Sequence, residues 1–426
     1  MTIRSSFLLP SIITFGVAVA LAACSSNTIV HVSGNGTDDG GTTDTEGGTP
    51  GGDVDSGPIL GGDHGPYPTV VANMPQVKSE GGSVLKAPHI IPVFFPGDAL
   101  QAQLTTFLQK LSTSQFLTAN VSEYGVGAGD VGTPVVLGAN PPASMTAQSV
   151  ASYVTSNIVP KATTDSNTLF VVFFPASTSI DLGQGEKTCG TVGGYHESTT
   201  SGKNVAYAIV PRCQSFVGQQ PNLNTLLEVT TASATHEIIE AMTDPYPNSS
   251  PAYGTLDADH AILQYVLGGA ETGDMCAQNP HSFGMNSEVG FAVQRSWSNK
   301  AATSGKDPCV PQAAGEVYFN AIFNPSDPVQ LQQGTTKALA LTVGQARTIE
   351  VTLVTDAPMN EFKVTAFALN QGEMNFSFDK TGGYNGDKLK VKVTLNSMPQ
   401  QGFTGFFLIS EYNKQQQLWP VAVVAQ

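Results

Sequence analysis

Charge is scarce in this 426-residue chain: Asp, Glu, Lys and Arg together make up 12% of it, and 19 basic side chains stand against 34 acidic ones. So few cations cannot neutralise a phosphate backbone over any length, which excludes nucleic acid as a partner. The net charge of −15 repels anionic membrane surfaces. With 44 glycines and 27 prolines, the chain is no long helix or coiled coil. Past the N-terminus no run reaches the roughly 18 unbroken apolar residues of a spanning helix. Neither a G-x-S-x-G elbow nor a P-loop G-x-x-x-x-G-K-[ST] is present, so two common routes to hydrolysis and phosphate binding are missing. What remains is a hydrophobic fraction of 40% in a length of about three domains, taking roughly 150 residues each, which excludes wholesale disorder.

The N-terminus carries Arg4 and then an apolar run from Phe7 to Leu21, with the dimensions of a signal-peptide core. It ends in Leu21-Ala22-Ala23-Cys24, which is similar to the lipobox of bacterial lipoproteins. The expectation is a signal peptide over residues 1–23 and a lipid on Cys24 that holds the chain to a membrane. Residues 24–65 carry seven acids (Asp38, Asp39, Asp44, Glu46, Asp53, Asp55, Asp63), no Lys or Arg, and almost no large apolar side chain. They read as an extended, disordered tether, in which His31 and His64 are not ligands. No inner-membrane retention signal follows Cys24, so the outer membrane or cell surface is expected.

Four further cysteines, Cys189, Cys213, Cys276 and Cys309, suit an exported chain, and three pairings are open to them. Short loop closure favours Cys189 with Cys213 and Cys276 with Cys309. A four-cysteine zinc site competes, but the spacings contain no C-x-x-C. Oxidised thiols would also leave no cysteine nucleophile.

Residues 66–313 alternate short apolar runs with helical periodicity, the pattern of an α/β or α+β domain. Ile90–Phe95, Val135–Leu137, Thr168–Phe174 and Val205–Val210 read as strands. Ala99–Leu111 reads as a helix behind Asp98 as N-cap, Thr146–Ile158 as a second, and Leu223–Met242 as the longest, stopped by Asp244-Pro245. Over residues 314–426 the texture changes to seven strand signals: 317–323, 338–341, 348–354, 362–369, 389–395, 403–409 and 419–424. That spacing predicts an all-β, immunoglobulin-like sandwich. Having neither Cys nor His, it reads as structural or adhesive rather than catalytic.

The sharpest motif is His236-Glu237-Ile238-Ile239-Glu240, an H-E-x-x-E on the longest predicted helix. Residues i and i+4 share a helix face, so His236 and Glu240 can reach one zinc-type ion. Glu237 stands where H-E-x-x-H zinc hydrolases place their general base, giving a metalloprotease-like helix. The alternative is an acidic helix whose charges are solvated or used in i,i+4 contacts. Against it, Leu226, Leu227, Ile238, Ile239 and Met242 are core-type neighbours, and burying acids calls for a reason. A third ligand is expected from Glu271 or Asp274, in the segment that Cys276 would pin, or from His196 between Cys189 and Cys213. His89, His260 and His281 read as structural or exposed.

The stretches GGSVLKAPHIIPVFF, SEYGVG, CGTVGGYH, ATHEIIEAMTDP, ETGDMC and VQRSWSN, followed by Cys309, resemble in that order the blocks of the EXORDIUM-like, phosphate-induced protein family. The resemblance covers about residues 81–311. It implies a secreted protein, associated in plants with cell expansion and growth signalling at the wall, and it brings no enzymatic activity with it. It adds weight to His196, His236, Glu237, Glu240, Glu271 and Asp274, which fall inside the matching blocks. The lipobox, the acidic tether and the added β-domain depart from the plant pattern.

The leading expectation is a lipid-anchored, extracytoplasmic protein with an H-E-x-x-E zinc site, acting as a hydrolase on an extracellular peptide or related amide. The rival is a non-enzymatic envelope or carbohydrate-binding protein, adhering to a glycan, in which the same cluster is a structural metal site or polar network.

Overall fold

Thr168–Phe174 is apolar after its first residue and buried at all seven positions, which is what a strand covered on both faces requires. It is the centre of the first sheet in the computed structural model, which describes residues 64–183, 185–199, 204–331 and 334–426. The leader, Cys24 and the tether through residue 63 lie outside the described residues. We label His89–Phe94 β1, Thr168–Phe174 β2, Tyr195–Ser198 β3 and Ala206–Pro211 β4. The sheet runs Asp130–Val131, β1, β2, β4, β3, and Val135–Val136 pairs with the far end of β1. Every pairing is parallel except that of β3, the antiparallel edge strand.

Alternate residues of β2 feed two cores. Leu169, Val171 and Phe173 pack with Leu104, Phe107, Leu108 and Leu111 of α1 (Gln101–Ser112), and with Ile238, Ile239 and Met242 of α2 (Leu226–Thr243). Phe170, Val172 and Phe174 pack on the other face with Val150, Val154 and Ile158. The result is helix, sheet, helix in three layers. α1 begins two residues later than expected, because Asp98 is not its cap. One Asp98 oxygen accepts the Leu100 N–H at 2.9 Å, and the other pairs with the buried guanidinium of Arg212, which lies 5.1 Å from the centre of the Phe173 ring.

The C-terminal region forms two packed sheets. One runs Phe319–Ile322, Ala346–Thr355, Lys388–Leu395, Met374–Phe378; the other runs Asp327–Leu331, Gly334–Leu341, Gln415–Ala425, Phe403–Tyr412, Phe362–Ala368, Gly382–Gly383. Their inward residues, such as Val351, Leu353, Val391, Val393, Phe406 and Val421, make a common core. The segments 327–331, 374–378 and 382–383 are strands that the pattern did not announce. Pro328 sits in a strand with one neighbour only, where a missing N–H is tolerated.

That core does not stop at residue 313. Ile262, Leu263, Val266, Leu267, Met275 and Trp297 belong to the same buried cluster as the sandwich residues. The chain from His64 runs over the sandwich before it reaches the first sheet: the Thr69 N–H donates to Thr355 O at 3.0 Å, and Val77–Lys78 pairs with Thr255–Leu256. Disulfides join Cys189 to Cys213 and Cys276 to Cys309, the pairing that short loop closure favours. They belong to a chain that matures in an oxidising compartment, outside the cytosol. Among the described residues no helix is long and apolar enough to cross a membrane.

Candidate metal centre

α2 opens with a capping box, Thr225 Oγ1 accepting from the Glu228 N–H while Glu228 Oε2 accepts from the Thr225 N–H. From Val229 to Thr243 every residue is buried, so the helix is a core element rather than an amphipathic surface one. Its polar side chains must therefore meet partners inside. The i, i+4 spacing places His236 Nε2 3.1 Å from Glu240 Oε2. Asp274, on the short helix α3 (Asp274–Ala277), brings Oδ1 to 3.5 Å from the same nitrogen, and Cys276 in that turn is tied to Cys309. From the other side, β3 delivers His196, with Nε2 3.3 Å from Glu271 Oε1 and Nδ1 3.7 Å from Glu240 Oε2 and 3.8 Å from Glu237 Oε2. All six side chains named from the sequence meet here. His89, His260 and His281 do not join them: they face Asp130, Asp257 and Glu316.

A seventh residue, not anticipated, sets the chemistry. Gln294, at the end of β5 (Phe291–Gln294), donates from Nε2 to the Gly273 carbonyl at 2.8 Å. A carbonyl only accepts, which fixes the amide's orientation and leaves Gln294 Oε1 to accept from His236 Nδ1–H at 3.0 Å. In the neutral ring the His236 Nε2 lone pair then faces two carboxylates. Lone pair against carboxylate is repulsive unless a proton or a metal cation stands between them.

Two glycines make this packing possible. A Cβ on Gly194 would lie 2.7 Å from Glu237 Oε1, and one on Gly273 would lie 2.7 Å from Glu240 Oε1 and 2.8 Å from His236 Nδ1. Neither was singled out from the sequence, although both sit inside quoted blocks, CGTVGGYH and ETGDMC, a signal that could have found them.

Burial and crowding shift the titrations strongly. Burial alone would lower His236, but the carboxylates of Glu240, Glu237 and Asp274 outweigh it and push the ring up to about 10. His196 is likewise held well above its usual value, mainly by Glu271 acting against burial. Burial raises Glu237, takes Glu271 to about 7, and lifts Asp274 well above the carboxylate range. Glu240 goes down, because the two histidines overcome its desolvation. Asp244, just past the helix, is pushed by burial to about 6, and its Oδ2 has no hydrogen-bond partner. Left without a cation, such a cluster has to be neutralised by protons.

A zinc-class ion fits the donors. Ligands about 2.0–2.1 Å from a tetrahedral centre stand roughly 3.3–3.4 Å apart. The spacings of 3.1 and 3.5 Å around His236 Nε2, and of 3.3 Å between His196 Nε2 and Glu271 Oε1, match that. His196 Nε2, Glu271 Oε1 and Asp274 Oδ1 are also buried without a hydrogen-bond partner, though nitrogen and oxygen sit close enough for one. Two triads hold mutually close donor atoms, His236–Glu240–Asp274 and His196–Glu240–Glu271.

No family model matches the chain, and no curated protein matches it. Among solved structures it has some similarity to domains 4 and 5 of the S-layer protein SbsC, at 14% identity over 31% of this chain and 90% of that one, with a TM-score of 0.17. A chimeric titin Z1Z2 functionalised with an exogenous peptide from decorin matches at 13% identity over 26% of this chain and 97% of that one, with a TM-score of 0.16. Likenesses of this size assign neither a fold nor an activity to the chain.

Proposed function

We propose that this chain holds a zinc-class divalent ion through His236, Glu240 and Asp274 and hydrolyses an extracellular peptide or related amide. The observation that carries the reading is the setting of His236, whose Nδ1 is held by Gln294 so that Nε2 faces two carboxylates. When bound, a divalent ion supplies Lewis acidity, polarising a carbonyl and lowering the pKa of water. The protein's own part is to hold and orient. Gln294 sets the His236 tautomer, and the Asp274 N–H donates to Glu240 Oε1 at 3.1 Å, turning Oε2 toward the histidines. Glu237, raised by burial, accepts a proton nearer neutral pH than a solvated carboxylate would. Two carboxylate ligands leave less positive charge on an ion than two imidazoles, so the activity is modest.

The setting belongs to the same proposal: a lipid on Cys24, the acidic tether, and attachment at the outer membrane or cell surface. So do the kinship with EXORDIUM-like proteins, the metalloprotease-like class of α2 and the immunoglobulin-like class of the sandwich. A second reading, a structural metal in a non-enzymatic or glycan-binding envelope protein, is favoured by burial. The His196, His236, Glu237, Glu240 and Asp274 side chains are each 5% exposed or less, and Glu271, at 14%, is the most open of the six.

The test is metal content by mass spectrometry on the full chain in detergent, purified without an affinity metal, followed by peptide and amide turnover. Metal uptake should fall in His236→Ala. Glu237→Gln should lose about 10²–10⁴-fold in turnover while keeping its metal and its melting temperature. Metal without turnover would leave the structural reading; no uptake by folded protein at neutral pH would remove both.

A further inference from the structure

We infer that the centre is built for two divalent ions rather than one, with Glu240 shared between them. This rests on the metal-binding reading above. The donors do not surround one point but fall on two sides of Glu240: His236 and Asp274 on one, His196 and Glu271 on the other, each set with Glu240 inside 4.8 Å. Glu240 is placed to serve both. Its Oε1 is taken by the Asp274 N–H, its Oε2 faces His236 Nε2 at 3.1 Å, and one of its oxygens lies within 4.8 Å of ligand atoms on both His196 and Glu271.

The second triad has its own orphaned donors, so it is not merely the outer surround of the first. His196 is 95% buried at the side chain, and its Nε2 and Glu271 Oε1 stand 3.3 Å apart without a hydrogen bond. Ring nitrogen and carboxylate oxygen brought this close without hydrogen-bond geometry is an arrangement that an ion between them would satisfy.

Charge points the same way. Four carboxylates, Glu237, Glu240, Glu271 and Asp274, are gathered around two imidazoles, and among the described residues none of the four forms an ion pair with Lys or Arg. With neutral imidazoles, one divalent ion leaves two negative charges buried, whereas two ions leave none. A buried uncompensated charge is costly, and two ions balance the four carboxylates without calling on bound protons. Two ions a few ångströms apart also grip both oxygens of a substrate undergoing displacement, a clamp that a single ion lacks.

The experiment is a stoichiometry measurement on the full chain in detergent, loaded with zinc and read by native mass spectrometry and calorimetry. Two ions per chain are expected in the wild type, one in His196→Ala and in Glu271→Gln, and one in Asp274→Asn. Manganese loading gives a readout that needs no variant: an exchange-coupled pair in the paramagnetic resonance spectrum instead of the isolated six-line signal. One ion per chain, unaltered by His196→Ala and uncoupled as manganese, overturns the two-ion centre and leaves the proposed function standing. Two ions that both survive His196→Ala and Glu271→Gln overturn the assignment of the second set. No ion at all in folded protein overturns both readings together.

Discussion

The strand Lys388–Leu395 and the helix α2 are both held inside the same protein, and they spend burial in opposite ways. In Lys388–Leu395 each lysine points out and each Leu or Val points in, so charge and core never meet. In α2 the polar residues His236, Glu237 and Glu240 are buried along with Ile238, Ile239 and Met242. The strand obeys the period of its secondary structure, and its burial is a contribution to stability. The helix breaks that rule with three ionisable groups, and a segment that violates patterning at a cost is where function concentrates.

The largest break of this contrast is removal of the obedient half. Deleting residues 315–426 would bare Ile262, Leu263, Val266 and Trp297, which share the sandwich's core. The contact is close: a Cβ on Gly405 would lie 2.6 Å from a Val266 methyl. The truncated chain should therefore lose cooperative unfolding and aggregate, instead of behaving as a free α/β domain. A sharp urea transition in residues 64–314, matching that of the intact protein in midpoint, would refute this.

Smaller, and sharper, is a pair of substitutions compared with and without chelator. Leu353→Ala, in the sandwich core, should cost about 2–5 kcal/mol whether or not metal is present. Glu240→Gln should already cost some stability in chelator, because the charge it removes is the one that His236 and His196 hold ionised. It should also forfeit the gain from metal, about 2.7 kcal/mol at a hundredfold excess over Kd. Chemical denaturation in the two conditions measures both. Equal losses with and without chelator for Glu240→Gln would place that carboxylate among ordinary structural residues.

How much of this was legible beforehand follows the same division. β2, the C-terminal end of α2 and most of the sandwich were readable because apolar period and turn residues act locally, whereas α2 starts at Leu226, three residues later than expected. The H-E-x-x-E spacing, the cysteine pairs and the nearby acids were readable as candidates. Gln294 was not, since an amide 58 positions from His236 has no local pattern, and its value lies in which atom it turns toward the ring. Asp98 misled because an N-cap signal is local, whereas its actual partner Arg212 follows β4, two strands away in the sheet. The boundary at residue 313 was read from texture, and texture does not register a core that two regions share.

The smallest expected effect lies at the join between the two regions. Glu316, in the segment leading to the sandwich, accepts from Arg295 Nη2 at 2.8 Å and from the Ala313 N–H at 2.9 Å, with His281 Nε2 at 3.3 Å. Burial works to raise this carboxyl, but His281, Arg295 and the Ala313 N–H outweigh it and hold it at about 2. A folded value below the ordinary 4.5 means that the group stabilises the fold above pH 4.5 and loses that contribution as pH falls toward 2. Asp307, 3.6 Å from the same Arg295, has the opposite sign: burial raises it to about 6, so protonation there favours the fold as pH drops below that value. Glu316→Gln isolates the first effect. Partly exposed ion pairs contribute about 1 kcal/mol or less, so the change at neutral pH should be slight, while the acid-side fall in melting temperature between pH 4.5 and 2 should become shallower. Parallel melting curves for wild type and Glu316→Gln over that window would mean that Arg295 does not clasp the join through Glu316.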